Sequence, residues 1–125
     1  MVPSTLLDFH VAGAWVVIVA NAAAGLWALA AHWVPRLGTR ALWRFTAGAQ
    51  IAIFVQVALG VAAMSAGGRQ ADQFHMFYGF VAIIAVAILY SYRQQMAHRL
   101  HLLYGLGSLF LMGLGIRALL VGSGG

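Results

Sequence analysis

Four long apolar runs separated by short polar breaks dominate the chain: roughly Leu6–Trp33, Trp43–Met64, Gln73–Tyr92 and Leu100–Val121. Each is near the ~20 residues that a helix needs to cross about 30 Å of hydrocarbon. Lipid offers no partner to backbone N–H and C=O groups, so helix is the form expected for all four runs. The breaks carry turn chemistry. Val34-Pro35-Arg36-Leu37-Gly38 ends the first run, Ala66-Gly67-Gly68-Arg69 ends the second, and a polar stretch from Arg93 to Arg99 ends the third. Connections this short predict an all-α, up-and-down integral membrane four-helix bundle, a single transmembrane domain over residues 1–125. The first run is read as a permanent helix, because it is too long for a signal peptide and no cation precedes it. Ser4, Thr5 and Asp8 predict its start, where hydroxyl and carboxylate oxygens satisfy free N–H groups.

Composition strengthens the membrane reading. Hydrophobic residues make up 63% of the chain and charged residues 7%, against about a quarter charged in soluble domains. The net charge is +5, and every one of the seven cations is arginine. These arginines sit between the apolar runs and form no basic face, so nucleic acid is not an expected partner. They read instead as topology signals. Arg36, Arg40, Arg44, Arg93 and Arg99 flank the first and third connections, and the middle connection holds Arg69 beside Asp72. Positive charge is retained on the cytoplasmic side. Both termini and the Arg69 loop are therefore expected outside, and the Ala/Gly/Arg bias points to a bacterial plasma membrane. The absence of cysteine excludes disulfides, thiolate metal sites and iron–sulfur clusters.

Candidate chemistry lies at the outer ends of the first and third runs. Asp8-Phe9-His10 and Asp72-Gln73-Phe74-His75 form a weak internal echo. In an up-and-down bundle these two helices run in the same direction, so His10 and His75 sit at similar depth. Two imidazoles placed in this way suit the axial positions of a haem iron. At 100° per residue Gly13, Ala14, Val17 and Asn21 share a face with His10, and Gly79 and Ala82 share one with His75. Small residues there would let a flat macrocycle approach the backbone. Trp15, Phe74, Phe77 and Tyr78 would pack on its edges. Arg117, near the outer end of the fourth run, is the candidate propionate partner, and Arg69 is a second. The alternative for the histidines is an interfacial role with bonds to water or carbonyls. Arg117 would then simply reach the headgroups. Chlorophyll magnesium is a further metal for the same pair.

Other residues have plainer expectations. His32, His98 and His101 solvate the inner interface or serve a second cofactor there. Gln50, Gln56 and Asn21 bond between helices. Trp27, Trp33 and Trp43 form an inner aromatic belt. The glycines of Gly105-Leu-Gly107 and Gly113-Leu-Gly115 permit close packing. An outward stripe of Gly107, Leu111 and Leu114, or of Gly105 and Met112, would seat a neighbouring helix. Ile83-Ile84 with Ile88-Leu89, and Phe110-Leu111, would be outward bulky faces.

The order of an outer histidine, then Gln56-Val-Ala-Leu-Gly60 on the next helix, then a second outer histidine, resembles one half of the haem A synthase family. The resemblance covers the first three helices. It implies a four-helix bundle in which His10 and His75 bind haem and Gln56/Gly60 match the family's Gln-x-x-x-Gly segment. The chain departs from that family in holding one bundle, and in having Val11 after His10 where the family has an acidic residue. The resemblance with these departures implies haem binding without haem A synthase chemistry. The expectation is a haem b-binding membrane subunit of a bacterial respiratory or redox system, carrying electrons and exchanging them with quinone, inside a larger membrane complex. The rival is a cofactor-free accessory subunit of a respiratory or photosynthetic complex. No acid–base pair or nucleophile points to an enzyme. No proline-broken helix or acid in the middle of a run points to a transporter.

Overall fold

The computed structural model describes residues 2–67 and 73–124, and side-chain surroundings for 8–65 and 73–122. Four helices follow one another: α1 (Val2–Trp33), α2 (Arg40–Gly67), α3 (Gln73–Ser91) and α4 (Leu100–Gly124). Single 3₁₀ turns, Pro35–Leu37 and Ala97–Arg99, lie in the first and third connections. All four helices are long and apolar enough to cross a membrane. The chain is a multi-pass membrane protein built as a helical bundle. Helix α1 runs from Val2, so Ser4 and Thr5 lie within it and not at its start.

Helix α1 is the hub. It packs extensively on α2 and on α4, α3 packs on α4, and α2 barely touches α3. The seam between α2 and α3 is therefore the open side of the bundle. Polar bonds fix the α1–α2 register. The Asn21 amide donates to Ala49 O at 3.3 Å, and the Gln56 amide donates to His10 O. Close glycine contacts fix α1 against α4. A Cβ on Gly25 would lie 2.9 Å from Gly105 O, and one on Gly115 would lie 3.1 Å from Ile18. Association in lipid relies on close packing of this kind.

The core runs through Val17, Ile53, Ala82, Val86, Leu89, Tyr104 and Leu111. A second cluster of Ala28, Ala31 and Leu42, covered by Trp27 and Trp43, fills the arginine-bearing end. There the Trp27 indole N–H donates to Leu37 O at 3.0 Å and latches the first connection to α1. Bulky side chains such as Phe9, Trp15, Phe80 and Phe110 face outward, as lipid requires.

Several faces and side chains lie elsewhere than the sequence predicts. The stripe on α4 points inward: Leu111 is fully buried, Gly105 lies against Leu29, and Gly107 lies against Leu89 of α3. Leu89 is core, so of the α3 face only Ile84 and Ile88 are strongly exposed. Trp43 is half-buried and stacks on His101 with ring centres 5.2 Å apart, so it is an interior wedge and not a belt residue. Trp33 is exposed, as a belt residue would be.

Candidate functional site

The topology brings His10 and His75 together. Their ring centres are 5.7 Å apart, and the ring planes meet at 79°. These residues are 65 positions apart in sequence, on helices with no strong direct packing. Each ring is held from a neighbouring helix. Nδ1–H of His10 donates to Gln56 O at 3.1 Å, and Nδ1–H of His75 donates to Ala118 O at 2.7 Å. A carbonyl only accepts, so both rings carry their proton on Nδ1 when neutral. Both Nε2 atoms then present lone pairs. Metal-bound histidines are oriented in this way, with the second ring nitrogen bonded to a backbone carbonyl or carboxylate.

Glycines make room for these rings. A Cβ on Gly60 would stand 2.9 Å from His10 Cε1, and one on Gly122 would stand 2.6 Å from His75 Nδ1. The Gln56-x-x-x-Gly60 spacing thus has a local reason. One helical turn places both residues on the face toward α1. Gln56 binds His10 twice, its carbonyl accepting from the ring and its amide donating to His10 O at 2.5 Å. Gly60 leaves space for that ring. Gly13 in turn accommodates Gln56, since a Cβ there would collide with the Gln56 side-chain oxygen.

Gly79 differs. A Cβ at this position would meet only Val57 of α2, at 3.8 Å, an ordinary contact. It lies one turn beyond His75 on the same face of α3 and faces the thin α2–α3 seam. Among the described residues nothing within the bundle requires glycine there.

Arg117 is exposed beside the pair. Its Nε–H donates to the Tyr78 hydroxyl at 3.3 Å, and its guanidinium carbon lies 5.8 Å from the Tyr78 ring centre. It precedes Ala118, the acceptor for His75. The arginine is thus at the depth of the histidines and held on the outer face of α3 and α4. Tyr78 packs edge to face on Phe77. Trp15 points elsewhere, into a shallow apolar groove with Val16, Val19, Ala20, Ala23 and Phe45. Arg69 and Asp72 lie outside the described residues. Among the described residues no group of three or more histidine or acidic side chains gathers in a metal-binding arrangement.

At the opposite end the histidines do not converge on a second site of this kind. His32 contacts Trp33 edge to face, His98 is exposed, and His101 stacks on Trp43 with Gly38 close to its Nε2.

Both histidines are marked in the sequence; Gly13, expected to leave room for a macrocycle, instead has the Gln56 side chain against it, and a Cβ on Gly79 would meet only Val57. Gly122 and Ala118 have no motif: their role comes from the α3–α4 register alone. No family model, curated protein or solved structure matches the chain.

Proposed function

We propose that the chain is a haem b-binding electron carrier of a bacterial plasma membrane, with His10 and His75 as the two axial ligands. The observation that carries this is the pair itself. Two imidazoles from different helices lie 5.7 Å apart, both with Nδ1 bonded to a carbonyl, which leaves the lone pair on Nε2. Two nitrogen ligands suit a metal that brings four more in its own macrocycle. With metal–nitrogen bonds of about 2.0 Å and a ring radius added on each side, two axial imidazoles would have centres about 6.3 Å apart. The observed spacing is close to that. A 79° angle between ring planes is compatible with both rings standing on one common axis. Gly79 and the α2–α3 seam offer room at the edge of the pair, and Arg117 supplies a cation at the same depth for a propionate. Haem iron supplies one-electron chemistry when bound. The protein's part is to hold two neutral imidazoles, limit water, and set the charge nearby.

The arginine distribution supports an orientation with the histidine end outside and the arginine-rich end in the cytoplasm. On this reading the pair faces the outer leaflet, within reach of quinone or of a partner subunit in a larger redox complex. The resemblance to one haem A synthase half supports ligation and not that family's oxidation chemistry.

A second reading is a cofactor-free accessory subunit, and one observation favours it. The two rings contact each other directly, and each is already hydrogen-bonded, so the pair is a complete interhelical clasp as it stands. A reduced-minus-oxidised absorption spectrum of protein purified from haem-replete cells separates the two. Sharp haem b bands, lost in His10→Ala and in His75→Ala but retained in His32→Ala, are expected. A haemless protein that also fails to take up added haem overturns the first reading in favour of the second.

A further inference from the structure

Among the described residues, six buried side-chain atoms have no hydrogen-bond partner. Four of them belong to two neighbouring turns of the core: Asn21 Oδ1 on α1, Thr46 Oγ1 and Gln50 Nε2 on α2, and Ser108 Oγ on α4. Asn21 and Ser108 are fully buried, and Thr46 is 3% exposed. Polar atoms left dry in such a place are rare, because each retains the cost of losing water. From these we infer that the core of the bundle holds ordered water between Asn21, Thr46, Gln50 and Ser108.

The register brings these residues to two adjacent turns of the bundle, Asn21 and Gln50 in one and Thr46 and Ser108 in the next. Asn21 donates to Ala49 O, the residue beside Gln50 and one turn from Thr46. Gly25, one turn along α1 from Asn21, packs on Gly105 and Leu109, which bracket Ser108. The Asn21 amide nitrogen is already engaged twice, with Val17 O at 2.8 Å and with Ala49 O. Its oxygen therefore has no work among the helix carbonyls and is available as an acceptor. Gln50 offers a donor, and the two hydroxyls offer both. A water needs two to four such partners of mixed sense. The groups are neutral, so the occupant is a small neutral donor–acceptor and not an ion. Apolar layers close the space on both sides. Val17, Ile53 and Leu111 separate it from the histidine end, while Ala28, Ala31 and Leu42 fill the arginine end. Asn21 is eleven residues beyond His10, about 16 Å along the helix, so this site is distinct from the histidine pair.

The test is X-ray hydroxyl-radical labelling of the wild-type protein in detergent, in which radicals formed from internal water oxidise the side chains beside it. Leu111 is fully buried and one turn from Ser108. Labelling of Leu111 is expected in the wild type, and it should fall at least severalfold in Ser108→Ala. An unlabelled Leu111 in the wild type overturns the proposal. A second measurement uses the sign of a thermal shift. If water bridges the hydroxyls, Ser108→Ala and Thr46→Val both lower the denaturation midpoint by a few degrees. If the hydroxyls are dry, removing them leaves the midpoint unchanged or raises it, and the proposal fails. The wild-type labelling stands even if either variant does not fold.

Discussion

Gly79→Ala is the substitution that best separates a packed bundle from a ligand-bearing one. In the bundle the new methyl would meet only Val57 Cγ2, at 3.8 Å, which is van der Waals contact and not a clash. Alanine also suits a helix interior better than glycine by about 0.5–1 kcal/mol. Protein without cofactor should therefore be as stable as wild type, or more stable by up to about 1 kcal/mol. A macrocycle seated on the His75 face would feel the methyl very differently. It would press on the added carbon one turn from its ligand, and misfit by one methylene in a packed site costs about 1–3 kcal/mol. At 1.4 kcal/mol per tenfold, that is roughly a five- to 150-fold loss of haem affinity. The assay is haem titration of apoprotein followed by absorbance, with thermal denaturation of the apoprotein measured in parallel. Weakened haem uptake with undiminished apoprotein stability is the expected combination. Unchanged haem affinity would refute the placement of the macrocycle over Gly79. A large loss of apoprotein stability would refute the claim that the α2–α3 seam has room.

Gly25→Ala places a Cβ 2.9 Å from the Gly105 carbonyl and 2.8 Å from Leu109, so it should lower bundle stability by about 1–3 kcal/mol; Gly48→Ala, with open space around it, should be neutral or slightly stabilising, both read from denaturation midpoints in one detergent. Gln56→Leu removes the amide that donates to His10 O but leaves the backbone acceptor for the ring. It should cost about 0.6–1.7 kcal/mol and loosen the His10 ring without abolishing haem uptake, as a spectrum of the loaded variant would show. Reporter fusions at Gly125 should register an extracytoplasmic C-terminus, and activity confined to the cytoplasm would reverse the orientation drawn from the arginines.

The number and order of helices were legible because lipid leaves one solution for a 20-residue apolar run, and the breaks between runs held proline, glycine and arginine. The depth of His10 and His75 was legible for the same reason: odd-numbered helices of an up-and-down bundle share a direction. What periodicity did not provide was the face each helix turns inward. In a lipid-exposed helix the outward face is as apolar as the inward one, so the usual contrast between core and solvent faces is missing. That is why Leu111 and Gly107, placed outside by sequence, lie inside. The exceptions were polar residues. Asn21 and Gln56 are costly in lipid and so mark the interior. Asn21 and Gln56 fix the α1–α2 register through their amides, and no apolar residue in the sequence could have announced that register.

The glycines obey the same physics. Fifteen of them are more than a bundle core of this size requires on sequence grounds, and an excess of that kind reads as a docking face for a neighbouring helix. The structure uses most of the described ones at home. Gly25, Gly105 and Gly115 bring α1 against α4, Gly107 seats Leu89, Gly60 and Gly122 seat the two histidines, and Gly13 admits Gln56. With these glycines turned inward, much of the outer surface is formed by Phe9, Trp15, Val19, Phe74, Phe77, Phe80 and Phe110. Small residues let helix backbones approach across lipid, whereas aromatic side chains hold them apart. Small-to-large substitutions at the interior glycines should therefore disturb folding before they disturb assembly, whereas Gly48 and Gly113, with open space around them, are the glycines left for close approach of a neighbouring helix.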